Sequence, residues 1–314
     1  MIFVAGSANL DFVVRAPHIP APGETVLGSD FKTYPGGKGA NQAIACARAG
    51  GIDTEMVLAL GEDAFAAIIE SSLQAAGVRM HTVRVTDHPT GTAFICVSDD
   101  AENAITVAPG ANGCLRESHL PSLKDASHLL LQLEIPIATV TAYARRAREQ
   151  GVAVVLNAAP AQVLPPELLS LINVLVVNER ELAGIAGVAF TSVGIAANLM
   201  ALNVPAIVVT LGAQGCVARI DGKLFTQPGY RIDPIDTTAA GDTFCGALAA
   251  ALARRLDTQE ALRQASAASA LACTRPGAQE SIPAAADVHA FLRTAPVTSE
   301  HQHAALRQYA GISN

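Results

Sequence analysis

Apolar runs of four or five residues, continuous except for Gln132 and each closed by turn or polar residues, recur at 2–5, 56–60, 129–133, 152–156, 174–177 and 206–209. A strand without polar alternation is covered on both faces. Between most of these runs lie stretches with apolar residues at helical spacing, over 39–49, 65–76, 137–150 and 193–202. Strands buried on both sides and alternating with helices predict an α/β fold. The expected form is a three-layer α/β/α sandwich around a mostly parallel sheet. Ligands in such folds bind at the carboxyl ends of the strands. Half of the 314 residues are hydrophobic, yet only 4% are aromatic and none is Trp. The core is therefore built from Ala-rich helices on a Val/Ile sheet.

Two segments break the alternation. Residues 12–35 read as short strands separated by Pro17, Pro20, Pro22 and Gly23. Residues 90–108 read as a hairpin, 92–97 and 104–108, joined by Ser98-Asp99-Asp100-Ala101-Glu102-Asn103. They form either a small β-sheet lid over one end of the domain or edge hairpins without a function. A further antiparallel unit, 216–220 and 224–227, turns through Asp221-Gly222-Lys223. One domain is expected over 1–294, with the lid segments inside it. Residues 295–314, polar and His-bearing, read as an appended C-terminal tail.

Charge and cysteines bound the class. A formal net charge of −7 argues against non-specific nucleic-acid binding, which needs a basic surface. No window offers the roughly 18 apolar residues of a membrane span, and the N-terminus lacks a signal peptide's basic start. The six cysteines lie far apart with no C-x-x-C pair. Reduced thiols in a cytoplasmic protein are the expectation.

Chemistry concentrates in glycine-bearing loops. Asp236-Thr237-Thr238-Ala239-Ala240-Gly241-Asp242-Thr243-Phe244 opens a helix, with Phe244, Leu248, Ala251 and Leu252 at helical spacing and Thr237 or Thr238 as its cap. The first turn presents unpaired N–H groups to an anion, and small residues let a charged ligand approach. Asp242 there either compensates the helix dipole or, beside a phosphate, accepts a proton. Tyr34-Pro35-Gly36-Gly37-Lys38-Gly39-Ala40-Asn41-Gln42 opens another helix, stopped at Gly50-Gly51. It fits neither a P-loop nor G-x-G-x-x-G. Lys38 and Asn41 suit hydroxyl groups, unless the segment is only a turn. Asn9 and Asp11, after the first strand, suit vicinal hydroxyls or form an Asx-turn. Glu134 ends a strand. In Asn178-Glu179-Arg180-Glu181 the outer pair shares one helical face, and can hold Mg²⁺ through its waters or simply serve the helix start. Thr210-Leu211-Gly212-Ala213-Gln214-Gly215 suits a nucleotide or a tight turn.

These residues, in this order, resemble the signatures of the ribokinase-like carbohydrate kinases. The two long motifs at 36–42 and 236–244 and Asn178-x-x-Glu181 carry the resemblance. Pro22-Gly23-Glu24-Thr25-Val26, Ala108-Pro109-Gly110-Ala111-Asn112 and Thr274-Arg275-Pro276-Gly277-Ala278-Gln279 extend it over about 2–293. The likeness is strongest to the family's ribokinase branch. It implies transfer of the γ-phosphoryl of ATP to the primary hydroxyl of a small sugar, ribose first. Kinases of deoxyribose, fructose, 2-keto-3-deoxygluconate or a nucleoside are the alternatives. A non-catalytic sugar-binding regulator on the same scaffold would be expected to lose Asp242 or Gly241.

Carried residue by residue, the resemblance makes Asp242 the general base, with the N–H groups of Ala240, Gly241 and Asp242 as the anion hole after Ala239. Asn9, Asp11, Gly37, Lys38, Gly39, Ala40, Asn41 and Glu134 would bind sugar hydroxyls. Asn178, Thr210, Leu211, Gly212, Ala213, Gln214, Gly215 and Ser266 would line the ATP site, with Glu181 supporting Mg²⁺. Asp236, Thr238, Ala272, Arg275, Gly277 and Ser281 would surround a monovalent cation, K⁺, several through carbonyls. The lid would clasp a second subunit in a homodimer. Two positions depart from the commonest pattern: Ala239 stands where many relatives have Gly, and Ser266 where His or Asn is frequent.

Overall fold

The computed structural model describes residues 1–100, 102–187 and 194–312. In chain order its elements are β1 (Ile2–Ala5), β2 (Asn9–Ala16), β3 (Asp30–Gly36), α1 (Lys38–Arg48), β4 (Thr54–Gly61), α2 (Ala64–Ala75), β5 (Arg79–Val85), β6 (Gly91–Ser98), β7 (Asn103–Ala108) and β8 (His128–Leu131). Then follow α3 (Ile137–Glu149), β9 (Ala153–Asn157), α4 (Pro166–Leu171), β10 (Val174–Asn178), α5 (Glu179–Ala186), α6 (Ile195–Ala201), β11 (Ala206–Thr210), β12 (Gly215–Ile220) and β13 (Lys223–Pro228). The C-terminal part is helical: α7 (Ala240–Ala253), α8 (Thr258–Ala272), α9 (Ala285–Thr294) and α10 (Glu300–Tyr309).

Among the described residues the main sheet has nine strands, ordered β13-β12-β11-β10-β9-β8-β1-β4-β5. It is parallel from β5 to β11, and β12 and β13 add an antiparallel edge. Successive side chains on a strand point to opposite faces. Accordingly Phe3, Ala5, Leu129 and Leu131 join one core with Val140, Leu168, Leu182 and Leu199 of α3 to α6. Ile2, Val4 and Leu130 join the other, with Ile44, Ile69, Leu248 and Leu262 of α1, α2, α7 and α8. The three-layer sandwich expected from the alternation is the fold observed. Burying each such aliphatic side chain contributes about 1.5–3 kcal/mol.

Several boundaries differ from the sequence reading. β5 was not anticipated, because its Arg, His and Thr residues occupy a sheet edge and leave no apolar run. Val193, at the start of the expected 193–202 helix, and Ala101, in the hairpin turn, lie outside the described residues. The two insertions do assemble into one sheet, β3-β2-β6-β7, with β2 and β6 parallel. The segment read as a tail contains α10, whose Leu306, with Ala310 at the helix's C-cap, is buried in the first core.

Strand order fixes where a ligand binds. From β1 the chain winds outward through β4 and β5; from β8, beside β1, it winds the opposite way. A crevice opens where the winding reverses, beyond the carboxyl ends of those two strands. Gly6 and Ser7 follow β1 at that point, and Gln132, Leu133 and Glu134 follow β8.

Candidate active site

The residues at the reversal are tied together. The Ser7 hydroxyl donates to Glu134 Oε2 at 2.6 Å, and the Lys38 backbone N–H donates to the same oxygen at 3.0 Å. Gly39 N–H donates to Ser7 Oγ at 3.3 Å. Only glycine fits this approach: a β-carbon on Gly39 would lie 2.6 Å from the Gly6 and Ser7 backbone, and one on Gly37 would lie 2.8 Å from that of Ala8 and Asn9. The glycine run thus presses the start of α1 onto the β1–β2 connection. Asn112 fixes the same connection, accepting from Ala8 N–H at 3.0 Å and donating to Asn9 Oδ1 at 2.8 Å.

Asp11 stands on β2 beside this junction, buried, and no protein donor among the described residues reaches its carboxylate. Burial first, then the negative charges of Glu134 and Asp242, push its pKa up to about 7 against the opposing pull of Lys38. The Lys38 ammonium is held protonated above its ordinary value, chiefly by Asp242 and further by Glu134 and Glu181, against the cost of burial. Lys38 faces four carboxylates, Asp11, Glu134, Glu181 and Asp242, so an anionic phosphate chain would need accompanying cations to enter the crevice.

Asp242 lies in the first turn of α7, buried. Asn41 Nδ2 donates to its Oδ2 at 3.0 Å and Gln42 Nε2 to its Oδ1 at 2.9 Å. Nothing among the described residues stands within 4 Å of where a β-carbon on Gly241 would be, which leaves room for a ligand at the helix start. The helix is capped differently from expectation. Ala239 is the N-cap, in left-handed conformation at φ 57°, and no side chain, Thr237 or Thr238 included, caps α7. The Ala240 N–H already bonds Thr237 O at 3.2 Å, which leaves Gly241 and Asp242 as the less committed donors.

Asn178 and Glu181 form a reciprocal capping box: each side chain accepts from the other's backbone N–H at 2.8 Å. Burial raises the Glu181 pKa, opposed by the Asn178 N–H and by Lys38. Glu181 keeps one carboxylate oxygen outside the box. Among the described residues no group of three or more His, Cys, Asp or Glu is placed to hold a metal. The free Glu181 oxygen at the start of α5 fits the water shell of a Mg²⁺ that would be carried by phosphate oxygens. Thr210 ends β11, and Gly212–Gln214 forms a 3₁₀ turn before β12. Leu211 is buried, while Gly212, Ala213 and Gln214 are exposed. Ser266 is buried on α8 with its hydroxyl 3.8 Å from Cys216 Sγ, facing β12.

The loops around Asp236 and Gly277, expected from the sequence to surround a monovalent cation, are hydrogen-bonded to each other. Asp236 accepts from Thr238 N–H at 2.9 Å and from Gly277 N–H at 3.0 Å. Cys273 O accepts from Ile235 and Asp236 at 2.8 and 3.2 Å. Ala272 closes α8 just before Cys273, and Ser281 is buried with its hydroxyl on Ala278 O. Arg275 points elsewhere, to Asp287 at 3.3 Å. One carboxylate among loop carbonyls is a donor set that fits K⁺. Ser7, Gln42, Asn112, Gln132 and Asn157 also converge around Glu134, Asn9 and Asp242 without having been singled out as site residues. Ser7, Gln132 and Asn157 are isolated polar residues whose partners lie about 90 to 130 residues away, so spacing carries no trace of them; Gln42 and Asn112 fall inside quoted motifs, but their partners are as distant.

This chain belongs to the pfkB family of carbohydrate kinases, whose model matches residues 1–285. It is 38% identical over 301 residues to the ribokinase of Haemophilus influenzae, covering 93% of this chain and 98% of that one. The ribokinase of Bacillus subtilis is 37% identical over 296 residues, covering 93% and 99%. Among solved structures, ribokinase from Thermotoga maritima matches with a TM-score of 0.85 at 35% identity, covering 93% and 99%. Arabidopsis thaliana ribokinase, complexed with ribose and ATP, matches with a TM-score of 0.84 at 34% identity, covering 94% and 99%. The chain is a carbohydrate kinase by family, and no helix among the described residues is long and apolar enough to cross a membrane.

Proposed function

We propose that this chain phosphorylates ribose, moving the γ-phosphoryl of ATP to the primary hydroxyl. The observation that carries the reading is Asp242: a buried carboxylate at an open helix start, aimed by two amide donors and bordered by Asp11 and Glu134. The sugar oxygen attacks the γ-phosphorus, the bond to the β-bridging oxygen breaks, and ADP leaves. The hydroxyl proton passes to Asp242. Gly241 and Asp242 N–H groups, joined by Ala240, stabilise the equatorial oxygens, since such transfers depend on positioning and electrostatics.

Asp11 and one free oxygen of Glu134 accept sugar hydroxyls, and Asn9 and the Gly37–Asn41 turn complete that pocket. Asn41 has a further role available, because its Oδ1 is buried without a partner among the described residues while Nδ2 holds Asp242. Lys38 supplies positive charge to the phosphates. Asn178, Thr210 and the 211–215 turn border the nucleotide; Ser266 sits behind that site, so its part is to support β12. Mg²⁺ would neutralise charge on the phosphates beside Glu181, and K⁺ would steady the 236–238 loop through Asp236.

The lid sheet leaves Phe31, Phe94, Ile105 and Val107 exposed, with Phe12 stacked on Phe31 and Phe94. That apolar surface supports a homodimer through the lid, to be checked by light scattering. The catalytic reading is tested by an ADP-release screen over ribose, deoxyribose, fructose, ketodeoxygluconate and adenosine. Ribose should give the highest kcat/KM; no turnover with any of them sinks the reading.

A further inference from the structure

Asp242 is held by more than its own helix. Gln42 lies wholly buried on α1 and uses every polar function of its amide: one N–H to Asp242 Oδ1 at 2.9 Å, the other to Asn157 Oδ1 at 2.9 Å, and its oxygen to Gln132 Nε2 at 2.7 Å. Asn157, ending β9, in turn donates its Nδ2 to the Val176 backbone carbonyl on β10 at 3.2 Å. A backbone carbonyl only accepts. Asn157 must therefore turn its NH₂ to Val176 and its oxygen to Gln42. Gln42 must answer with its own NH₂, whose second hydrogen then faces Asp242. Reversing the Gln42 amide would set its oxygen against two acceptors and its NH₂ against the NH₂ of Gln132.

We infer that Gln42 is the positioning residue for the proton acceptor: a buried amide relay running from Val176 through Asn157 sets the plane of the Asp242 carboxylate. An Asp carboxylate on a first helical turn otherwise rotates freely about its last bond. Here Asn41 and Gln42 hold one oxygen each, and Gln42 cannot turn. The contact depends on close packing of α1 on α7, where a β-carbon on Gly246, one turn after Asp242, would lie 2.6 Å from Gln42 O. The surrounding charges, on Lys38, Asp11, Glu134 and Glu181, would draw or repel the carboxylate if the relay released it.

The inference rests on Asp242 being the base, and the experiment separates the two. Full-length Gln42→Met, isosteric Gln42→Glu and Gln132→Met are compared with the unmodified chain in ribose and ATP kinetics, alongside thermal melting. Misplacing a reacting group costs up to about a hundredfold. Gln42→Met should lose about ten- to a hundredfold in kcat with both KM values within about twofold and a cooperative melt. Gln42→Glu, which sets a carboxylate against Asp242, should lose at least as much, and Gln132→Met less. Unchanged kcat in Gln42→Met, or a loss confined to KM, overturns the inference. Should Gln42→Met fail to fold, unchanged kcat in Gln132→Met overturns it instead. If the unmodified chain phosphorylates no sugar, the kinase reading fails by itself. The crystal structure of the Gln42→Met or Gln132→Met chain then decides: an Asp242 carboxylate turned from its plane supports the relay, and an unmoved one overturns it.

Discussion

The Asp11 carboxylate occupies the space in which any side chain on Gly36 would have to sit: a β-carbon there would lie 2.0 Å from Asp11 Oδ2. The glycine motif thus does more than bend the chain into α1. It clears room for a buried acid whose charge no protein group among the described residues satisfies. Gly36→Ala should displace Asp11 and raise the KM for sugar well before it alters the KM for ATP. Steady-state kinetics with each substrate varied in turn measure this, and parallel rises in both constants would contradict it.

Asp11 also predicts a pH dependence. Its pKa in the sugar-free fold is raised to about 7. A raised carboxylate contributes stability that is fully present below its ordinary value near 4 and is lost as pH rises through about 7. Sugar binding runs the other way, because hydroxyl donors need the ionised form. The KM for sugar should fall about tenfold between pH 6 and pH 8, and Asp11→Asn should flatten that slope. A pH-independent sugar KM in the unmodified chain would remove Asp11 from the pocket.

Asp242→Asn tests the base. The substitution keeps size and leaves the α7 start intact, so the chain should fold and bind ATP. Turnover should drop by about 10²–10⁴, the usual worth of a positioned base. Calorimetry of nucleotide binding beside kcat distinguishes this from simple damage to the site, and near-normal turnover would sink the assignment.

Much of this was legible in the sequence because the signals were local. The run at 2–5 is β1 to the residue, and the runs at 174–177 and 206–209 miss only the polar end of β10 and β11. Asp242, Asn41, Glu134 and Glu181 sit in short motifs at strand ends or helix starts, where backbone geometry alone prescribes small or polar residues. The cap of α7 was misread because Thr237 and Thr238 are favoured caps, whereas Ala239 takes a left-handed conformation that costs Ala about 1–2 kcal/mol. Only the surrounding loop contacts can hold it there. The relay through Gln132, Gln42 and Asn157 was invisible for a different reason. Its bonds join residues 90 and 115 apart in sequence, so no local pattern links them, not even the motif that holds Gln42.

The paired loops at Asp236 and Gly277 predict cation dependence. If K⁺ orders the 236–238 segment next to Ala239 and Gly241, activity in K⁺ should exceed that in Na⁺ or choline at equal ionic strength. Asp236→Ala, which removes the acceptor for both Thr238 and Gly277 N–H groups, should abolish the difference. Equal rates in all three salts would take the cation out of the reading.

Residues beyond Ala295 should behave as part of the fold. Leu306 of α10 is 3% exposed, and Ala310, its C-cap, is fully buried. Ala310 O accepts from the Ala196 N–H at the start of α6 at 3.0 Å, and His303 bonds Thr226 on β13 at 2.8 Å. Tyr309 reaches Glu179, beside the Asn178–Glu181 capping box, at 2.9 Å. Leu306→Ala should destabilise the chain by about 2–4 kcal/mol through transfer and cavity terms. Tyr309→Phe should cost little, because water replaces an exposed partner. Removing 296–314 should lower the denaturation midpoint by more than Leu306→Ala does, since it uncovers the core under α10 as well. Urea titrations of the three variants check the order, and a truncated chain as stable as the full one would show that α10 only rests on the surface.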